Sequence, residues 1–119
     1  MRYLSMIRID ETRGQQPSEQ LMHDMGKLIE ELTRKGALIS TAGLRPTAEG
    51  ARVRLRKGQL STTDGPFTES KEVIGGYAIV EAPSLKDAIG LTERFLAIHG
   101  NEWDIECEVR ELGCGAKAS

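Results

Sequence analysis

The chain predicts an α+β fold: a single ferredoxin-like βαβ-βαβ unit with a β-hairpin inserted between its halves. Three observations point there. Short extended apolar runs and two amphipathic stripes follow one another as strand–helix–strand, hairpin, strand–helix–strand. Each stripe is preceded by a serine in N-cap position and closed by a glycine. The length, 119 residues, suits one domain with its own core and is short for two. The domain is expected over residues 1–112, with 113–119 as a short flexible C-terminal tail.

Tyr3 to Ile9 reads as a strand, apolar on both parities and β-branched at Ile7 and Ile9. Asp10 to Pro17 is polar and holds Gly14 and Pro17, hence a loop. Ser18 caps a helix whose stripe is Leu21, Met25, Leu28 and Leu32, widened by Met22 and Ile29 and stopped at Lys35-Gly36. A second strand starts at Ala37 and runs toward Gly43. Ala51 to Thr63 reads as a hairpin turning at Lys57-Gly58. Gly75 to Ala82 is another strand apolar on both parities. Ser84, with Asp87 three residues on, opens a second helix carrying Leu85, Ala88, Thr92 and Phe95, and Gly100 ends it. Trp103, Ile105, Cys107 and Val109 alternate with charged residues, predicting a last strand from Trp103. Helices cover one face of such a sheet, yet two strands are apolar on both faces. A homodimer packed sheet on sheet would cover the other.

Composition excludes several classes. Sixteen Lys and Arg stand against 18 Asp and Glu, a net charge of −2, unlike a general nucleic-acid binder. Two Phe, two Tyr and one Trp leave little for stacking bases, so no direct nucleic-acid partner is expected. No apolar run approaches a membrane span, and no secretory pattern opens the chain. A cytoplasmic protein with reduced thiols and no membrane partner is expected. The two His and two Cys lack ligand spacing, so neither a metal nor a cofactor is expected. Cys107 falls on the apolar parity of the last strand, as a small core residue would.

The most distinctive run is Asp64-Gly65-Pro66-Phe67-Thr68-Glu69-Ser70-Lys71-Glu72, followed by Gly75-Gly76-Tyr77. Asp-Gly-Pro is a turn, because proline fixes φ and glycine accepts positive φ. Phe67 is expected to plug the core beside it, and Thr68 to cap a short helical turn. Asp64, Glu69 and Glu72 with Lys71 form either a solvated turn with local ion pairs or carboxylates whose pKa values are pushed apart for acid/base work. The run resembles the signature of DGPF-domain proteins in the YCII-related family. Gly43-Leu44-Arg45-Pro46, Ala51-Arg52-Val53-Arg54 and the closing Glu106 to Arg110 agree with it. The resemblance implies a dimeric α+β barrel built on the ferredoxin-like unit, and for some relatives a partnership with an extracytoplasmic-function sigma factor. It also implies a His–Asp pair on the first helix, but those positions fall near Met25 and at Arg34. The pair is therefore absent, and His23 reads as a solvent-facing residue.

Arg52, Arg54 and Arg56 recur at period 2 and share one face of the hairpin, with Val53 and Leu55 on the other. Such a row could hold an anionic ligand, since guanidinium pairs bidentately with carboxylate or phosphate. It could equally be a charged guard on an edge strand. The candidate ligand-binding residues are thus Arg54, Asp64, Glu69, Lys71, Glu72 and Tyr77. Two functions remain open: a homodimeric small-molecule-binding or regulatory protein, with a small anionic ligand or a sigma factor as partner, and a small enzyme using the motif carboxylates.

Overall fold

The structure, a computed structural model, describes residues 1–68 and 72–113. Strand β1 (Arg2–Ile9) leads through a 3-10 turn at Glu11–Arg13 to helix α1 (Glu19–Arg34) and strand β2 (Leu38–Gly43). After a 3-10 turn at Thr47–Glu49, β3 (Ala51–Arg56) and β4 (Gln59–Asp64) form the hairpin. Strand β5 (Val73–Glu81), helix α2 (Leu85–Ala97) and strand β6 (Glu106–Glu111) complete the chain order. The main sheet runs β2-β5-β1-β6 with every neighbouring pair antiparallel, the order the ferredoxin-like reading requires. The fold is α+β, with the hairpin inserted as a separate two-stranded sheet.

The capping chemistry is as predicted. The Ser18 hydroxyl accepts the Leu21 amide at 3.0 Å, and Gly36 follows α1 with φ +75. Ser84 accepts the Asp87 amide at 3.3 Å, while its own hydroxyl donates to the Asp87 carboxylate at 2.8 Å. One face of the sheet and both helices form the core, with Tyr3, Leu38, Ala78 and Val80 against Leu28, Leu32, Ala88 and Phe95. Two hydroxyls are buried there. Thr92 donates to the Ala88 carbonyl at 3.0 Å, which leaves Ser5 to donate to Thr92 at 2.8 Å and satisfies both.

The opposite face carries Leu4, Met6, Tyr77 and Ile79, half-buried by one another and, among the described residues, covered by no helix. Arg2, Arg8, Glu81 and Glu108 surround them. The hairpin turns at Lys57, φ +50, and Gly58, φ +78, the pair of positive φ values that matches strand twist. It stands away from the body, so the radius of gyration is 15.9 Å. A compact chain of this length would have about 13.5 Å.

Three local expectations are corrected. Met22 is 62% exposed and Leu85 48%, because burial on α1 is concentrated at Leu28 and Leu32 and that on α2 at Ala88, Thr92 and Phe95. The last strand begins at Glu106, so Trp103 and Ile105 lie in the loop before it. The preceding strand runs Val73–Glu81 and so begins two residues before the expected Gly75, because the apolar Val73 and Ile74 already pair with Ile9 and Arg8. The expected tail falls, beyond Gly113, outside the described residues.

Candidate functional site

Three loops converge at one end of the main sheet. The segment after β1, the segment after β2 and the Pro66–Thr68 part of the motif enclose a cleft of about 460 Å3, joined by Trp103 and Asp104 from the loop before β6. That volume lies within the ~300–1,000 Å3 range of small-molecule sites. Ile9, Leu44, Pro46, Pro66, Phe67 and Trp103 give it an apolar wall, and Asp10, Glu11, Arg13, Arg45 and Asp104 give it charge.

The motif is fixed by contacts far along the chain. The Thr47 hydroxyl accepts the Phe67 amide at 3.1 Å and itself donates to Glu11, whose carboxylate also takes the Thr47 amide at 3.1 Å. Gly65 donates its amide to the Gly50 carbonyl at 2.9 Å, and the Gly65–Pro66 peptide is cis. A Cβ on Gly65 would stand 1.6 Å from the Thr47 carbonyl oxygen, so no other residue fits this approach. Glu11, Thr47 and Phe67 thereby lock the three loops into one wall.

On the other side Arg13 meets Asp104 at 3.2 Å, and Gln15 donates to the Glu102 carbonyl at 2.6 Å. Arg45 forks onto Glu49 at 2.9 and 3.2 Å, which raises the arginine's pKa further. Asp10 accepts from the Thr12 hydroxyl and amide, and these bonds hold its carboxyl below the usual carboxylate range. A carboxylate held in that way is a weak proton acceptor near neutral pH.

The candidate residues that the structure describes are set apart rather than gathered. Arg54 opposes Ser61 and Asp64 opposes Ala51, so the two occupy opposite faces of the hairpin. Tyr77 lies on the uncovered face of the main sheet, its hydroxyl 3.1 Å from that of Ser40. Glu72 is exposed just before β5. Glu69 and Lys71 lie outside the described residues, as does the helical turn expected after Thr68. None of Arg54, Asp64, Glu72 or Tyr77 lines the cleft. Phe67 does not plug the core: it is half-buried, lines the cleft and carries the Arg52 guanidinium 3.9 Å above its ring centroid.

Sequence reasoning passes over Glu11, Thr47 and Trp103. Glu11 and Thr47 are 36 residues apart, and no local pattern joins them. Trp103 merges into the alternation of the last strand, which continues past the strand's true start. Arg45 has a readable signal, its i,i+4 spacing to Glu49.

A second cavity of about 290 Å3 lies between the sheet and the helices, lined by Ser5, Ile7, Met25, Ile29, Phe95 and Cys107 among others. Burial pushes the Cys107 thiol pKa up, so it stays a neutral apolar group. His99 at its edge bonds the Phe95 carbonyl through Nδ1 at 3.0 Å and meets Trp103 edge-on, ring centroids 5.6 Å apart. His23 is exposed, and Arg34 pairs with Glu30 at 2.8 Å on the surface of α1. Among the described residues, no group of three or more His, Cys, Asp or Glu stands close enough to hold a metal ion.

The YCII-related domain model matches residues 1–99. The chain belongs to the YCII-related family. An uncharacterized protein of Rhizobium meliloti (strain 1021) is 31% identical to this family member over 76 residues, which are 64% of this chain. The match spans 61% of that relative's length. Two solved structures follow a similar chain course. CutA from Xylella fastidiosa has a TM-score of 0.44 at 13% identity, covering 98% of this chain and 88% of its own. The divalent cation tolerance protein Cut A1 from Thermus thermophilus has a TM-score of 0.42 at 15% identity, covering 99% and 90%. No helix among the described residues is long and apolar enough to cross a membrane.

Proposed function

We propose that this YCII-related protein is a homodimeric small-molecule-binding protein whose cleft takes a small carboxylate with an apolar body. The observation that carries the reading is the cleft itself: an apolar wall from Ile9 to Trp103, with Arg13 and Arg45 beside Asp10, Glu11 and Asp104 at its polar side. Both arginines are paired to carboxylates in exposed geometry, with Arg45 81% exposed. Exposed pairs of this kind contribute only ~0–1 kcal/mol, so exchanging a protein carboxylate for that of a ligand costs little. Planar guanidinium groups hold such an anion bidentately. Binding rather than catalysis is favoured because Asp10, the acid that caps the first turn, is kept ionised by Thr12 and is a weak proton acceptor.

The uncovered sheet face supports the dimer. Leu4, Met6, Tyr77 and Ile79 form a face of the kind that a second sheet covers, and a twofold pair does so with one surface. Sedimentation of the purified chain is expected to give twice the monomer mass at micromolar concentration; a monomer there removes the dimer from the reading.

Trp103 is the only tryptophan and lines the cleft, so its fluorescence reports occupancy. Titration with benzoate should change the emission saturably, and Arg45→Ala should weaken binding about tenfold, as loss of a charge-assisted bond does. Methyl benzoate should bind more weakly than benzoate. Equal response to acid and ester, or no saturable change with benzoate or hexanoate, would overturn the carboxylate reading.

A further inference from the structure

The hairpin presents Val53, Leu55 and Leu60 to solvent, 72%, 66% and 74% exposed. Leu55 directly opposes Leu60, and Val53 opposes Thr62, so the aliphatic groups form one continuous face. Arg52, Arg54 and Arg56 occupy the other face, which accounts for the solubility of that side but not for the exposed leucines. Among the described residues, the strands of the hairpin contact each other far more than any other element. A lone two-stranded hairpin is marginal in water, and an aliphatic face on it asks for cover.

We infer that the β3–β4 hairpin is an arm whose Val53–Leu55–Leu60 face closes on the body of a second copy of this chain. Charge excludes a second arm as that occupant. Residues 51–64 hold Arg52, Arg54, Arg56 and Lys57 against Asp64, a net of +3, which leaves −5 for the rest of the chain. One arm therefore repels another arm and is drawn to a body, its own or that of a second copy. Area points to the second copy. Four strands at about 4.8 Å spacing and six residues of about 3.3 Å each project roughly 400 Å2. A stable pair buries about 800 Å2 on each partner. Side-chain relief enlarges the sheet's share, but Arg2, Arg8, Glu81 and Glu108 hold its margins, so the apolar contact is smaller still. The arm supplies three large aliphatic groups where the sheet face runs out.

This inference rests on the homodimer reading, and the experiment separates the two. Sedimentation equilibrium compares the full chain with the Leu55→Asp/Leu60→Asp variant, with far-UV circular dichroism as the check on folding. In parallel, benzoylphenylalanine replaces Leu60 in the otherwise native chain and is photoactivated. The expected result is a wild-type dimer, a dissociation constant raised at least about tenfold in the variant, and a covalent dimer joining position 60 to the body of the other copy. A dimer unchanged by the two substitutions, with cross-links only within one chain, between arms or to an unrelated protein, overturns the arm and leaves the dimer standing. A wild-type monomer with no cross-linked dimer overturns both.

Discussion

The carbonyl oxygen of Thr47 lies 1.6 Å from where a Cβ on Gly65 would sit, and that single distance explains why the motif turn needs glycine. The obstacle is backbone, held in turn by the Thr47–Glu11 pair, so it cannot swing aside as a side-chain tip would. Gly65→Ala is expected to lower stability by about 2–3 kcal/mol in urea unfolding, as forced overpacking does. It should also weaken carboxylate binding, because the Phe67 amide is held by the hydroxyl of the same threonine. Unchanged stability would mean that the turn does not pack on Thr47. At this scale the sequence is informative where the cause is local. Ser18, Ser84 and Gly36 are readable because a cap acts within one turn of helix. Phe67 is misplaced by sequence reasoning because its position depends on Thr47 and Arg52, neither of which is near it in sequence.

Among elements, the two helices are tied by Glu31, which meets Arg94 of α2 at 3.0 Å and Lys35 at 3.1 Å. The bond from Arg94, then that from Lys35, pulls the Glu31 carboxyl from 4.5 to about 2. A depressed carboxylate stabilises the fold above its unfolded pKa, and that contribution is lost as pH falls through the folded value. Glu31→Gln should therefore flatten the decline in stability between about pH 4.5 and 2, and leave its shape near pH 7 unchanged. An equally steep acid limb in the variant would contradict the assignment. The hairpin offers a second test. Gly58 holds φ +78, where a Cβ is strained by roughly 1 kcal/mol. Gly58→Ala should speed hydrogen exchange across β3 and β4 while barely moving the melting of the main sheet. Loss of protection throughout would show that the hairpin is part of the body's cooperative unit.

At the scale of the molecule, the ferredoxin-like order is legible because two amphipathic stripes sit between apolar runs of the right length. The uncovered face is legible too, since Leu4, Met6, Tyr77 and Ile79 add an apolar second parity to strands already apolar on the first. The cleft is not legible. Its walls come from three loops joined by contacts such as Glu11 to Thr47 and Arg13 to Asp104, across 36 and 91 residues. Nor can alternation show that Arg54 and Asp64 face apart, because their relation depends on the pairing register rather than on either strand alone.

The binding reading is tested most directly by following backbone and indole amide resonances during a titration with benzoate. The expected shifts cluster at Glu11 to Gln15, Leu44, Arg45, Ala48, Phe67, Thr68 and the Trp103 indole, the groups around the cleft. Shifts confined to the second cavity around Ser5, Met25 and Cys107, or no saturable shifts at all, would contradict it.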